Sequence, residues 1–302
     1  MNSVTSKDGT SIAYDRTGDG PPVVLVCGGS VDRMSNAPLA QLLSERFTTF
    51  NYDRRGRGDS GDTQPYAVQR EIEDVEAVVN EAGGSAFLYG SSSGAALALE
   101  ATAALPSIRK VALWEPPYFT REFADQRPPL DTAQTYRKFV EEGRRGDAVE
   151  YFMAEVVHMP AEFVAQAKQA PWWASQEAIA HTLAYDAEIM GDYMIPERFS
   201  SLPTPAIVLD GGASFPFLHS SADALAELLP DGERATPRVR STTSIPRSSR
   251  PSSNGSSTPD IWARGAVAGT DPAGSPRDFP FDTRAQVELL EQRFSEPEVE
   301  QE

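Results

Sequence analysis

The sequence predicts an α/β fold, in which helices flank a mostly parallel sheet and an all-helical insertion interrupts the core. Short, continuous apolar runs that end in glycine alternate with amphipathic stretches over residues 1–118. Such runs are typical of strands that are buried on both faces of a parallel sheet. Residues 119–198 carry only helical patterns, and a strand pattern returns at Thr204. We therefore predict a discontinuous core at 1–118 and 199–235, with a helical lid at 119–198.

Each element follows from its local pattern. A hairpin is predicted over 4–15, because Asp8-Gly9 favours a tight turn between two short strands. The remaining predicted strands are PPVVLVCGG, TTFNYD, AFLYG, IRKVALWEPP and TPAIVLDGG. Helices of the core are predicted at NAPLAQLLSERF, QREIEDVEAVVNEAGG, AALALEATAAL and SSADALAELLP. Those of the lid are TAQTYRKFVEEGRRG, DAVEYFMAEVV, PAEFVAQAKQA and SQEAIAHTLAYDAEIMG.

Composition limits the partners of the protein. A net charge of −17 and a pI near 4.6 argue against nucleic acid and anionic membranes, which both require basic patches. No apolar run approaches the ~20 residues of a membrane span, and the N-terminal stretch lacks the pattern of a signal peptide. Cys27 is the single cysteine, which fits a reducing compartment. We expect a cytoplasmic protein that acts on a small molecule.

Ser92 stands at the centre of the sequence Gly90-Ser91-Ser92-Ser93-Gly94, a G-x-S-x-G pattern. A predicted strand precedes this pattern and an alanine-rich helix follows it, which is the context of a nucleophile elbow. A structural Gly-Ser turn is the alternative. The backbone N–H groups at the start of the helix favour a developing oxyanion. We predict that Ser92 is a nucleophile, with the N–H groups of Ser93 and Gly29 as oxyanion donors, although Gly29 alternatively serves only a tight turn.

The motifs VVLVCGGS, YDRRGRGDSG, YGSSSGA, WEPP and IVLDGG occur in this order over residues 4–235. In this respect the chain resembles the lid-bearing esterases, lipases and cofactor-free haloperoxidase-like proteins of the α/β-hydrolase fold. The resemblance implies serine hydrolysis of an ester or related acyl substrate, without metal or cofactor; perhydrolase activity would use the same residues. It also implies that the triad acid is Asp210 or Glu115. Either carboxylate alternatively caps a neighbouring loop.

Aromatic and methionine side chains in the predicted lid are candidates for an apolar substrate pocket. At helical spacing they fit the internal core of the lid equally well. These residues are Trp172, Trp173, Tyr185, Met190, Tyr193 and Met194.

The expected catalytic base is missing from the sequence. On this fold the triad order is serine, acid, histidine, so the histidine should follow the last core strand. The three histidines are His158 and His181 in the lid and His219 before the last core helix. We therefore predict a crippled hydrolase, with His219 as a possible surrogate base. A non-catalytic binding protein of the same fold is the alternative.

The Ser/Arg/Pro-rich stretch from about Thr236 has no apolar period, and we expect residues 236–302 to be disordered or out of frame. Suppose that the message is read in another frame, in which each new codon starts at the third base of a present codon. The first base of each present codon then becomes a middle base. Serine codons of the TCN type thus give codons with a middle T, which encode apolar residues. Over 241–258 this reading gives a loop histidine, from the bases of Thr242, and an amphipathic helix. Without that helix we expect an apolar sheet face to be uncovered, and the chain to be less stable or to aggregate.

Overall fold

A computed structural model describes residues 1–237 and 283–295 of the chain. Within them an eight-stranded sheet has the order β1-β2-β4-β3-β5-β6-β7-β8. The β1/β2 and β2/β4 pairs are antiparallel and all other pairs are parallel. The predicted α/β fold class is confirmed. The strands are β1 Asn2–Thr5, β2 Ser11–Thr17, β3 Pro22–Val26, β4 Thr48–Tyr52, β5 Ala86–Ser91, β6 Ile108–Trp114, β7 Ala206–Leu209 and β8 Gly232–Ala235.

Helices connect the parallel strands and also form the insertion between β6 and β7. Those of the core are α1 Ala37–Leu43, α2 Val68–Glu81, α3 Ser93–Ala104, α9 Pro216–Leu228 and α10 Thr283–Ser295. Those of the insertion are α4 Thr132–Glu141, α5 Arg145–Tyr151, α6 Ala161–Ala167, α7 Trp173–Ala178 and α8 Leu183–Met190. Short 3₁₀ or π segments occur at Arg33–Asn36, Arg121–Gln126, Phe152–Val156, Ala180–Thr182 and Glu197–Ser201. Among the described residues, no helix is long and apolar enough to cross a membrane.

Both faces of the sheet are covered. One face packs against α2, α3 and α9, and the other against α1 and α10. Phe294 of α10 stacks on Phe87 with ring centroids 4.8 Å apart and meets Phe47 edge-on at 5.9 Å. The expectation of an uncovered apolar face is therefore wrong: α10 has an apolar side, and Val287, Leu290 and Phe294 bury it against the sheet.

The insertion has an apolar core of its own, built from α4 to α8 and separate from the two layers around the sheet. Its division from the core at 118/119 and 198/199, and its role as a lid, stay predictions. The serine-rich stretch 241–258, on which the reading-frame hypothesis depends, lies outside the described residues.

Candidate functional site

Ser92 occupies a strained turn between β5 and α3. Its backbone has φ +53° and ψ −127°, a conformation that side-chain-bearing residues rarely adopt and that often marks functional sites. Glycine is required at positions 90 and 94, because a side chain at either would clash with a backbone carbonyl oxygen. A Cβ on Gly90 would lie 2.3 Å from the carbonyl oxygen of Gly94, and a Cβ on Gly94 would lie 2.4 Å from that of Cys27. The G-x-S-x-G pattern therefore allows α3 to cross β3 and β5 closely enough to form this turn.

A cavity of about 410 Å³ opens at the carboxyl ends of β3, β5 and β6. Ser92 lines it, together with Gly29, Ser93 and Glu115 from the core and Asp186 from the insertion. Its walls are otherwise mainly apolar and include Leu39, Trp114, Phe119, Met159, Leu183, Met190, Tyr193, Phe215, Phe217 and Leu218. The cavity thus brings together the predicted nucleophile, both predicted oxyanion donors and one of the two predicted acids.

The two predicted oxyanion donors come from adjacent backbone segments. Gly29 follows β3, and Ser93 is the first residue of α3, where no side chain caps the helix. The first N–H groups of a helix lack intrahelical acceptors and carry the positive end of its dipole. Both residues line the cavity beside Ser92. The arrangement can accommodate an anionic oxygen, and whether it does so in catalysis stays a prediction.

Glu115 and Asp210 lie at the ends of the adjacent strands β6 and β7, in different surroundings. Glu115 has φ +48°, lines the cavity, and accepts hydrogen bonds from the Gly211 N–H at 3.2 Å and from the Ser214 hydroxyl. Burial raises the pKa of the Glu115 carboxyl, against these two donors. The Gly211 N–H and the Ser214 hydroxyl thus anchor Glu115 beside the cavity.

Asp210 is fully buried and does not line the cavity. Its carboxylate contacts His219 Nδ1 and the Arg234 guanidinium, and it accepts a hydrogen bond from the Thr236 hydroxyl at 2.7 Å. These three partners already occupy the carboxylate. The structure therefore separates the two candidates: Glu115 faces the cavity of Ser92, and Asp210 lies behind it.

All three histidines of the chain fall within the described residues, and none of them lines the cavity. His158 Nε2 lies 3.0 Å from the carbonyl oxygen of Gln126, and His181 Nε2 lies 3.4 Å from Asp62 Oδ2. His219 contacts Asp210, and it follows Leu218, which does line the cavity. His158 likewise lies between two cavity residues, Val157 and Met159, but of the three histidines only His219 is paired with a predicted triad acid.

The predicted pocket residues of the insertion divide into two groups. Met190 lines the cavity, as does Tyr193. Trp172, Trp173 and Tyr185 instead contribute to the internal core of the insertion, and Met194 packs against the core of the sheet, so the pocket expectation fails for these four. Tyr185 stacks on Tyr66 with ring centroids 3.8 Å apart, which holds it against the core and away from the cavity. Helical spacing alone could not distinguish the two sides of these helices.

Asp186 was missed by the sequence interpretation. It is a buried carboxylate of α8 that lines the cavity and pairs with Arg54 and Arg57 of the loop after β4, at 2.7 Å each. Two further ion pairs hold that loop against α2, since Arg54 also binds Glu71 and Arg55 binds Asp74. A sequence signal for such a residue exists in YDRRGRGDSG, which has three arginines and two aspartates. Because a buried arginine needs an acidic partner, this excess indicates that a carboxylate from another part of the chain pairs with the loop.

Known proteins resemble the chain in sequence and in structure. Residues 23–253 match the model of the alpha/beta hydrolase family. A solved alpha/beta hydrolase from Sphaerobacter thermophilus is 50% identical, with a TM-score of 0.73 over 81% of this chain and 95% of that one. A pimeloyl-[acyl-carrier protein] methyl ester esterase of Stenotrophomonas maltophilia is 36% identical over 33% of this chain. The uncharacterized hydrolase YraK of Bacillus subtilis is 31% identical over a similar share.

The matches to these two curated relatives span 37% and 38% of the relatives' own lengths, so each similarity covers little more than a third of the relative. The family match covers well over half of the chain, and it includes the strand–turn–helix around Ser92 and the strands that carry Glu115 and Asp210. The chain therefore belongs to the alpha/beta hydrolase family.

Proposed function

We propose that the chain is a serine hydrolase for a neutral, apolar ester or related acyl compound. The observation that carries this proposal is the strained backbone of Ser92, which precedes the first residue of α3 and lines a largely apolar cavity. Strain of this kind holds a side chain in one exposed position, as a nucleophile requires. The esterase and hydrolase names of the relatives support the same reaction class.

The lining of the cavity supports a neutral substrate. Within the described residues, its charged side chains are Glu115 and Asp186, and no lysine, arginine or histidine lines it. A buried carboxylate on the substrate would find no cation in the cavity wall to pair with, which is unfavourable in a low-dielectric cavity. The aromatic and aliphatic walls favour an apolar acyl or alcohol group.

In the proposed reaction, Ser92 Oγ adds to the ester carbonyl carbon and its proton passes to a base. The carbonyl oxygen becomes an oxyanion that the N–H groups of Gly29 and Ser93 stabilise. Collapse of this intermediate expels the alcohol, which takes up the proton, and water then hydrolyses the acyl-serine. Glu115 or Asp210 would orient the imidazole of a histidine in this scheme.

Turnover is expected to be slow, because no histidine lines the cavity that holds Ser92. Loss of a triad base typically leaves ~10³–10⁴-fold acceleration over water, from the oxyanion donors and from binding. His219 would act as a surrogate base if its ring turned from Asp210 toward the cavity. The same lack of a base favours a second candidate, a non-catalytic protein that binds small molecules in the cavity.

Labelling with a neutral alkyl fluorophosphonate tests these alternatives. We expect slow labelling of the purified chain that is lost in Ser92→Ala and retained in the neighbouring control Ser91→Ala. Complete absence of labelling in a folded chain would favour the binding protein. Rapid labelling that His219→Ala abolishes would assign the base to His219, and rapid labelling that survives this substitution would contradict the claim that a base is missing.

The reading-frame hypothesis adds a gain-of-function test. A gene in which one base is added near codons 231–238, so that the alternative frame is read, should encode a loop histidine after β8. We expect its product to be labelled at Ser92 at least 100-fold faster than the present chain, since a triad member typically contributes several orders of magnitude. An unchanged rate in a folded product would reject this origin of the missing base.

A further inference from the structure

Asp186 links the helical insertion to the predicted oxyanion site. It belongs to α8, yet its Oδ1 accepts a hydrogen bond from the Ser93 hydroxyl at 2.8 Å and one from Arg54 at 2.7 Å. Ser93 is the residue whose N–H is the first predicted oxyanion donor. One oxygen of this carboxylate therefore fixes the side chain that stands directly beside Ser92.

The other oxygen of Asp186 acts on the second predicted donor. Its Oδ2 accepts a hydrogen bond from Arg57 at 2.7 Å, and the same guanidinium donates to the carbonyl oxygen of Gly28. A Cβ on Gly29 would lie 3.0 Å from Oδ2, so the backbone of Gly29 packs closely on the carboxylate. Asp186 thus supports the backbone that carries the Gly29 N–H.

A second side chain of the insertion holds the same loop. The hydroxyl of Ser30 donates to the side-chain carbonyl of Gln176 in α7, and both residues are buried. Ser30 has φ +56°, a conformation that needs support from its surroundings. The 28–31 loop is therefore held by the insertion at two points.

The charges in this network balance. Arg54 pairs with Glu71 as well as Asp186, so two guanidinium groups face two carboxylates in the interior. Burial acts to raise the pKa of Asp186, but Arg57 and Arg54 outweigh it and hold that pKa below its ordinary value. Asp186 is ionised at neutral pH, and its removal leaves Arg57 without its carboxylate partner.

We propose that Asp186 is a positioning residue, which makes the oxyanion arrangement of Gly29 and Ser93 depend on docking of the helical insertion against the core. This inference rests on the proposed function of Ser92. A departure of α8 would remove the acceptor of Ser93 and Arg57 together, and the 28–31 loop would lose its fixed geometry. The insertion would then control reactivity by assembling the site as well as by covering it.

The test compares Asp186→Asn with the matched control Asp74→Asn. Both substitutions remove one buried carboxylate charge from an arginine pair, but Asp74 holds Arg55 against α2, away from the 28–31 loop. Two readouts are used on the full chain at a temperature where each variant is folded. They are the second-order rate of Ser92 labelling by a neutral fluorophosphonate, and deuterium exchange in the peptide that spans 28–31.

We expect Asp186→Asn to lower the labelling rate about tenfold or more and to speed exchange in the 28–31 peptide, because loss of one oxyanion donor costs ~10²–10³ in rate. Asp74→Asn should change either readout less than twofold. Equal effects of the two variants, or unchanged exchange in Asp186→Asn, would overturn the proposal. If the parent chain is not labelled at all, the proposed hydrolase function fails, and exchange of the 28–31 peptide alone decides whether Asp186 positions the loop.

Discussion

The two sides of the cavity are held in place by different forces. On the core side, the Ser92 turn is fixed by backbone contacts: α3 approaches β3 so closely that Gly94 has no room for a side chain. On the insertion side, Asp186 is fixed by charge, through two arginines of the core. Backbone contact in a packed core is stiff, whereas an ion network can separate as a unit when water replaces it. The backbone geometry of Ser92, the proposed nucleophile, is therefore fixed by the core alone, whereas the position of Asp186 depends on the insertion.

Gly94→Ala should disrupt the packing of α3 on β3, and we expect this substitution to lower the stability of the protein most. The added Cβ would lie 2.4 Å from the Cys27 carbonyl oxygen and 2.7 Å from that of Val26, and neither atom can move without separating α3 from β3. We expect destabilisation beyond the ~1–3 kcal/mol typical of overpacking, with loss of cooperative thermal unfolding. Circular dichroism during heating measures this.

Gly212→Ala is the control for this substitution, since a Cβ there meets no atom within 4 Å and the residue lacks a positive φ. It should leave the melting temperature within a few degrees of the parent. A well-folded Gly94→Ala variant would show that α3 can shift away from β3, and the stiffness assigned to the core side would be wrong.

Phe294→Ala tests the packing of α10 on the opposite face of the sheet. This ring packs against Phe47 and Phe87, and we expect its loss to cost ~3–5 kcal/mol in the free energy of unfolding. Trp173→Ala, in the core of the insertion, removes a larger but only partly buried ring and should cost less. Chemical denaturation of both variants measures the difference. A cost below 1 kcal/mol for Phe294→Ala would mean that α10 does not stabilise the core.

The sequence was sufficient for the parts that depend on local pattern. Local patterns predicted β3 to β7, and the continuous apolar runs of β3, β5 and β7 gave the clearest signal, because a strand buried on both faces needs no partner-specific residue. The environment of Ser92 was also accessible, since glycine on each side of a serine after a strand has a steric meaning. β8 was not identified as a strand, because its four residues, Gly-Glu-Arg-Ala, include two charged side chains and no large apolar one, and none of them is fully buried.

Long-range contacts were beyond such patterns. Asp186 meets Arg54 across 132 positions of the chain, and Gln286 of α10 donates to the hydroxyl of Tyr89 across 197. Nothing in the local sequence of LAYDAEIM distinguishes a buried ion partner from a solvent-exposed acid. The same reason explains why Tyr185 was predicted in the pocket: its side of α8 is set by stacking on Tyr66.

Glu115 and Asp186 face the same cavity with opposite pKa shifts. Burial raises the pKa of Glu115 above the value of an unfolded glutamate, ~4.3, whereas Arg57 and Arg54 lower that of Asp186 against the effect of its own burial. Because the pKa of Glu115 is higher in the folded state, the unfolded state loses this proton at a lower pH than the folded state does when the pH rises. The stability contributed by protonated Glu115 is therefore present below pH ~4.3 and lost as the pH rises through the folded pKa.

Glu115→Gln should accordingly raise the melting temperature modestly at pH 7, because the neutral amide has no charge to bury and can still accept from Gly211. The gain should shrink as the pH falls toward ~4, where the parent carboxyl is itself protonated. Melting curves of the two proteins from pH 4 to 8 test this. A gain that stays constant over that range would mean that Glu115 does not change its protonation state between pH 4 and 8, and a loss at pH 7 would mean that the Ser214 and Gly211 donors outweigh its burial. In that case both carboxylates of the cavity would be stabilised as anions, one by hydroxyl and amide donors of the core and the other by the arginines that hold the insertion.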